Sequence, residues 1–281
     1  MKRIGILDVD ALTEKLVRGL FRAEPDSQIF LFCGNNERAR KLSVDLPCWT
    51  LDSYQDVVDE VDVIILGGEY HYLKRIAPQI QLRCPQTLIS LVPAISTQKL
   101  RDLFRHTDCV RVMLAFAAEI NQSSVLLTAA DNDIQALFNR LGQLTVFTDE
   151  SEFDLATVSM GMNSWFYFLA EGLQSWFVQK GLTEDIARRL VLNGFRDFVE
   201  YADYKNSAGL DELGKEIALS GLYKLEGLEV LAQMQVLEPW HNASDTVLSM
   251  IKENKPPWNE SGQLIISAGC ITSERYPHAF R

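Results

Sequence analysis

Over its first ~150 residues the chain alternates short apolar runs with amphipathic stretches, and nothing else in the sequence constrains its fold so tightly. Apolar runs at Lys2–Leu7, Gln28–Phe32, Val61–Leu66, Thr87–Val92, Cys109–Met113, Val125–Thr128 and Leu144–Phe147 read as β-strands. Between them Asp10–Arg22, Asn36–Leu42, Ser96–Phe104 and Asn132–Leu141 read as helices. In the first helix Leu12, Leu16, Val17 and Leu20 share one face. Parallel strands need a crossover, and an intervening helix supplies it. The pattern therefore predicts an α/β fold, a Rossmann-like, doubly wound parallel sheet over residues 1–151.

From Glu152 the period changes, and the rest of the ordered sequence reads as all-α. Phe153–Lys180 is a long aromatic-rich helix, which Gly181 ends in the manner of a C-cap. Thr183 stands where an N-cap would start Glu184–Tyr201. Gly209–Glu216, Tyr223–Met234 and Ala243–Lys252 read as further helices. Trp165, Phe166, Tyr167, Phe168, Trp176 and Phe177 offer more aromatic surface than a small helical domain buries alone. Residues 152–255 are accordingly expected to be a dimerisation domain that joins two copies of the chain and is open to a larger oligomer. Residues 256–281, rich in Pro, Gly and Ser, are expected to trail as a surface tail.

Charge narrows the range of partners. With 27 Lys and Arg against 38 Asp and Glu, the formal charge is −11, which argues against nucleic acid and against an anionic membrane surface. The five cysteines are scattered without CxxC spacing and the four histidines without HxxxH or HExxH, so no metal is expected. Scattered thiols and the lack of a leader-like N-terminus fit a cytoplasmic protein.

In a doubly wound sheet the first strand–turn–helix is where a dinucleotide docks, through a GxGxxG/A turn whose glycines admit the pyrophosphate to the helix N-terminus. The turn reads Leu7-Asp8-Val9-Asp10-Ala11-Leu12-Thr13, so Asp8, Asp10 and Thr13 replace the glycines and the small third residue. A carboxylate ~5 Å from a phosphate charge repels it by ~3 kcal/mol at an effective dielectric of ~20. Asp10 has three readings: an N-cap whose own carboxylate fills the anion position, a partner of Asp8 in holding a cation, or part of a shifted loop that still admits a cofactor. Asn35, Asn36 and Arg38 follow the second strand, where a 2′-phosphate would lie; Arg38 and Arg40 could pair with it or simply form a solvated face.

Ile4-Gly5-Ile6-Leu7, Glu14–Leu20, Leu88-Ile89-Ser90 and Val110-Arg111-Val112-Met113 resemble the framework of pyrroline-5-carboxylate reductases. The resemblance is clearest at Phe168–Leu173, Gly181-Leu182 and Gly227–Leu231, and it spans residues 2–252. It implies a Rossmann-like domain followed by a helical dimerisation domain, and in the family NADP- or NAD-dependent reduction of a cyclic imine. The family's signatures are rewritten. Its VKP turn falls on Gly68-Glu69-Tyr70, its MPNTP loop on Met113–Ala117, its SGSGPAY segment on Ser159–Trp165, and its SPGGTT loop on Leu219–Lys224. Tyr223 and Lys224 replace two threonines, and Lys224 could hold a carboxylate, act as a base if desolvated, or stand as a surface lysine at a helix start. Met113, Met162 and Trp165 are the expected lining of an apolar substrate cleft, with core packing as the other reading of Met160, Met162 and Trp165. The expectation is a divergent homologue that binds no nicotinamide cofactor and serves in binding or assembly. The alternatives are a reductase with an altered NADP or NAD loop, and a repurposed enzyme without nicotinamide.

Overall fold

A computed structural model describes residues 2–68 and 70–253. Eight strands form one sheet: β1 (Ile4–Ile6), β2 (Ile29–Phe32), β3 (Trp49–Leu51), β4 (Val63–Leu66), β5 (Thr87–Ser90), β6 (Cys109–Leu114), β7 (Ser123–Thr128) and β8 (Gly142–Phe147), in the spatial order β3-β2-β1-β4-β5-β6-β7-β8. The order runs outward from β1 to β3 and then returns to β4, so the switch point lies between β1 and β4. Those two strands are parallel with Ile6 beside Ile65, which brings Asp8 and the Gly67-Gly68 pair to the same end of the sheet.

The helices divide between the two faces. α1 (Ala11–Ala23), α2 (Glu37–Asp45) and α6 (Asn132–Asn139) set Leu16, Val17, Leu20, Leu42, Ile134 and Phe138 into one apolar layer. α3 (Tyr54–Glu60), α4 (Tyr70–Ile76) and α5 (Thr97–Phe104) set Val57, Val58, Leu73, Ile76, Leu100 and Phe104 into the other. Burying such side chains at roughly 25 cal/mol per Å² is the main force holding helices to a sheet.

Three elements escape the sequence pattern: β3, α3 and α4. β3 has only three residues and half-exposed or exposed side chains, while α3 and α4 have seven residues each, too short for a helical period to show. The sheet is also not wholly parallel. β7 runs antiparallel to β6, because only a short 3-10 turn at Phe116–Ile120 joins them where a parallel crossover needs a dozen residues or more.

The helical part comprises α7 (Glu150–Gln179), α8 (Glu184–Tyr204), α9 (Leu210–Leu219), α10 (Leu222–Gln233) and α11 (Leu237–Glu253). By compactness the chain divides within α7 and within α11, and Gly161–Val247 forms a unit of its own. Gly181 sits at φ +104 after α7, with the Leu182 N–H returning to the Phe177 carbonyl at 3.1 Å. Thr183 occupies the N-cap of α8 without a side-chain cap bond. No helix among the described residues is long and apolar enough to cross a membrane.

Candidate functional site

At the switch point the chain answers the unpaired amides of α1 with a side chain of its own. Asp10 is the N-cap of α1: its Oδ1 accepts the N–H groups of Leu12 (2.9 Å) and Thr13 (2.7 Å), and its Oδ2 accepts that of Gly68 (2.8 Å). Thr13 completes a capping box, its hydroxyl oxygen accepting the Asp10 N–H at 2.7 Å. One carboxylate thus ties the first turn of α1 to the loop that leaves β4.

The close backbone approach that a GxGxxG turn makes at the end of β1 occurs here at the end of β4. A Cβ on Gly67 would stand 2.6 Å from the Thr13 methyl, and one on Gly68 would stand 2.5 Å from Asp8 Oδ2. Gly68 also has φ +76, a region that costs other residues strain. Asp8 is half-buried against this loop. Burial pushes its carboxyl above the ordinary Asp range and the neighbouring Asp10 charge adds to the rise, against the opposing pull of Arg75 and a bond from Asn36.

Asn36 joins the group and Asn35 does not. The Asn36 amide donates to the Val9 carbonyl at 3.0 Å and to Asp8 Oδ1 at 3.4 Å, while its oxygen N-caps α2 through the Ala39 N–H. Asn35 is exposed. Arg38 is engaged elsewhere, paired to Glu14 at 3.0 Å in a chain that continues through Arg18 to Asp45. Burial raises the Glu14 pKa, but its bonds from Arg18 and Arg38 outweigh that and hold the carboxyl below its usual value. Glu69, the middle residue of the rewritten VKP turn, lies outside the described residues, as do residues 254–281.

Of the other expected site residues, Met113 belongs to the sheet unit, and Met162, Trp165, Tyr223 and Lys224 belong to the helical unit. Met113 is core, 5% exposed, packed with Leu126 and Phe153. Met162 is half-buried on α7, and Trp165 meets Trp240 edge-on at 5.8 Å between ring centres. Tyr223 is 77% exposed in the first turn of α10. Lys224 donates to the Ser220 hydroxyl at 2.9 Å and borders an open groove of about 820 Å³ with Tyr201, Leu213, Glu216 and Ile217. Among the described residues no three His, Cys, Asp or Glu side chains are grouped to hold a metal ion.

Arg111 is the residue whose role the sequence reading missed. It lies in β6 with its side chain 1% exposed, bonded to Glu150 at 2.7 Å and to the Pro93 carbonyl at 2.6 Å, and 2.8 Å from Asp154. Its guanidinium covers the Phe153 ring at 4.6 Å. Glu150 also accepts the Thr97 N–H at 2.7 Å, so one arginine pins the starts of α5 and α7 to the sheet. Burial raises the Glu150 pKa, and the Thr97 and Arg111 bonds more than reverse it. A lone charge inside the run Cys109–Leu114 was the available signal.

No family model and no curated protein matches this chain by sequence. Solved structures do match. The 1-pyrroline-5-carboxylate reductase of Streptococcus pyogenes superposes with a TM-score of 0.78 at 22% identity, over 90% of this chain and 98% of that one. The pyrroline carboxylate reductase of Plasmodium falciparum, solved with NADP bound, gives 0.77 at 18% identity, over 90% and 97%. The pyrroline-5-carboxylate reductase of Coxiella burnetii gives 0.75 at 16% identity, over 90% and 98%. The chain has the fold of the pyrroline-5-carboxylate reductases: a Rossmann-like, mostly parallel sheet followed by a helical region.

Proposed function

We propose that this chain keeps the reductase scaffold without its nicotinamide-dinucleotide seat and serves as a binding or assembly homologue. One observation carries the reading: the Asp10 carboxylate is lodged on the amides of Leu12, Thr13 and Gly68. The positive end of α1, which would attract a pyrophosphate, already faces a full negative charge. A phosphate charge brought to ~5 Å from that carboxylate is repelled by ~3 kcal/mol, about a hundredfold in affinity. Asp8 adds to the repulsion. Rotating Asp10 away instead would uncap α1. The residues present therefore do not fit NADP or NAD.

Assembly has its own support. Tyr167, Tyr204, Leu219, Leu222 and Tyr223 are between 73% and 78% exposed on the helical unit. Large apolar side chains left in water at that density favour cover by a second copy of the same unit, giving a homodimer. A competing reading, an NADP- or NAD-dependent reductase of a cyclic imine, draws on the NADP-bound Plasmodium falciparum neighbour at TM-score 0.77. It requires the turn at residues 8–13 to reopen.

Thermal-shift titration of the purified chain with NADPH and NADH separates the two. A Kd below ~100 μM would stabilise the protein by more than ~1 kcal/mol at millimolar ligand. We expect no saturable shift with either nucleotide; a saturable shift would overturn the proposal in favour of the reductase.

A further inference from the structure

The two edges of the sheet are built differently. β3 presents three residues, begins two positions after Pro47 and is followed by Asp52, the short and guarded edge that soluble proteins favour. β8 presents six residues, Gly142–Phe147, with no proline and no charge, and Gln143, Thr145 and Val146 are exposed. Among the described residues its backbone bonds to β7 and to no other element. In a parallel pair both polar groups of a residue turn to the same side, so alternate residues of β8 direct about six N–H and C=O groups outward.

Charge enters only at the ends of the strand. Arg140 precedes it, bonded through one nitrogen to Glu24, and its guanidinium keeps further donors. Asp149 follows it, bonded to Ser151 and without a cationic partner among the described residues. Two β8 strands laid side by side in parallel would set Arg140 near Arg140. Laid antiparallel about a two-fold axis, they set the Arg140 end of each against the Asp149 end of the other, and the pairing closes at two copies.

We propose that β8 is a docking edge for a second copy of this chain, joined antiparallel so that two sheets become one. This surface lies outside the helical unit and does not depend on the helical homodimer proposed above.

The test is hydrogen exchange with mass detection on the full chain, from low micromolar to several hundred micromolar protein, with sedimentation velocity alongside. Amides of residues 142–147 are expected to exchange severalfold more slowly as concentration rises. The double variant Gln143→Lys/Thr145→Lys, which places like charges across the two-fold axis, is expected to abolish that protection and lower the sedimenting mass. If the helical interface also forms, the variant stops at a dimer; if it does not, the variant is a monomer. Either way the mass falls. Exchange at 142–147 that is independent of concentration in the wild-type chain overturns the proposal, whatever the variant does, and leaves the edge for a foreign strand. Protection confined to residues 184–233 overturns it as well, because that assigns the association to the helices.

Discussion

Replacing Asp10 tests whether its carboxylate holds the switch point together. Asp10→Ala removes the acceptor of two α1 amides, at 2.9 and 2.7 Å, and the acceptor of the Gly68 N–H, at 2.8 Å. Losing the cap costs about 1 kcal/mol, and losing a bond to a charged acceptor costs about 1.5–3 kcal/mol. The sum is roughly 3 kcal/mol, or ~6–12 °C in Tm for a unit of this size. Asp10→Ser separates the two losses, since one hydroxyl can cap α1 but lacks the second oxygen that reaches Gly68. The expected order of stability is wild type, then Ser, then Ala, read by urea denaturation at neutral pH with a probe in the sheet unit. Equal losses for Ser and Ala would refute the bridge to Gly68. A loss under ~0.5 kcal/mol for Ala would refute the whole arrangement, because ordinary surface changes fall in that range.

Three further outcomes follow from the same geometry. Asp8→Asn stabilises the chain at neutral pH: the folded-state carboxyl is raised, so the acid's contribution is present below its unfolded pKa and is lost as pH rises through the folded one. The advantage of Asn in thermal melts therefore grows from acid to neutral pH, and a pH-independent difference would contradict this. Gly68→Ala destabilises the chain, because its Cβ would meet Asp8 Oδ2 at 2.5 Å and φ is +76; in an Asp8→Gly background the Asp8 clash is gone while the backbone strain and the tight approach to the Tyr72 ring at 3.2 Å remain, so a double-mutant cycle shows Gly68→Ala costing less there than in the wild-type background. Arg111→Met leaves Glu150 and Asp154 without their cation and costs about 3 kcal/mol in chemical denaturation, with little recovery in Arg111→Lys, which cannot reach both carboxylates and the Pro93 carbonyl.

The frame was legible where the chain repeats a period and obscure where it does not. Leu16, Val17 and Leu20 declare the buried face of α1 by spacing alone, and the buried run Val63–Leu66 declares a central strand. β3 has too few residues for alternation to register. The antiparallel turn of β7 depends on a connection length that only the folded chain fixes. At the site, Asp8 and Asp10 could be found because a glycine position filled by a carboxylate is a local departure. Their partner Gly68 could not, since it lies 58 residues from Asp10 and the two meet only through the β1–β4 pairing. Arg111 illustrates a different limit: its charge was visible in the sequence, but Glu150 and Asp154 are about forty residues away and reach it only through the start of α7. Lys224 shows the converse. Its place beside Ser220 and the groove follows from chain-local helices α9 and α10, yet nothing local says what the groove holds.

The most direct measurement is the electron density of a crystal of this chain soaked in millimolar NADPH. Asp10 is expected to keep its bonds to the amides of Leu12, Thr13 and Gly68, with no nucleotide density against residues 8–13. A pyrophosphate seated on the first turn of α1, with the Asp10 side chain swung aside, would contradict this.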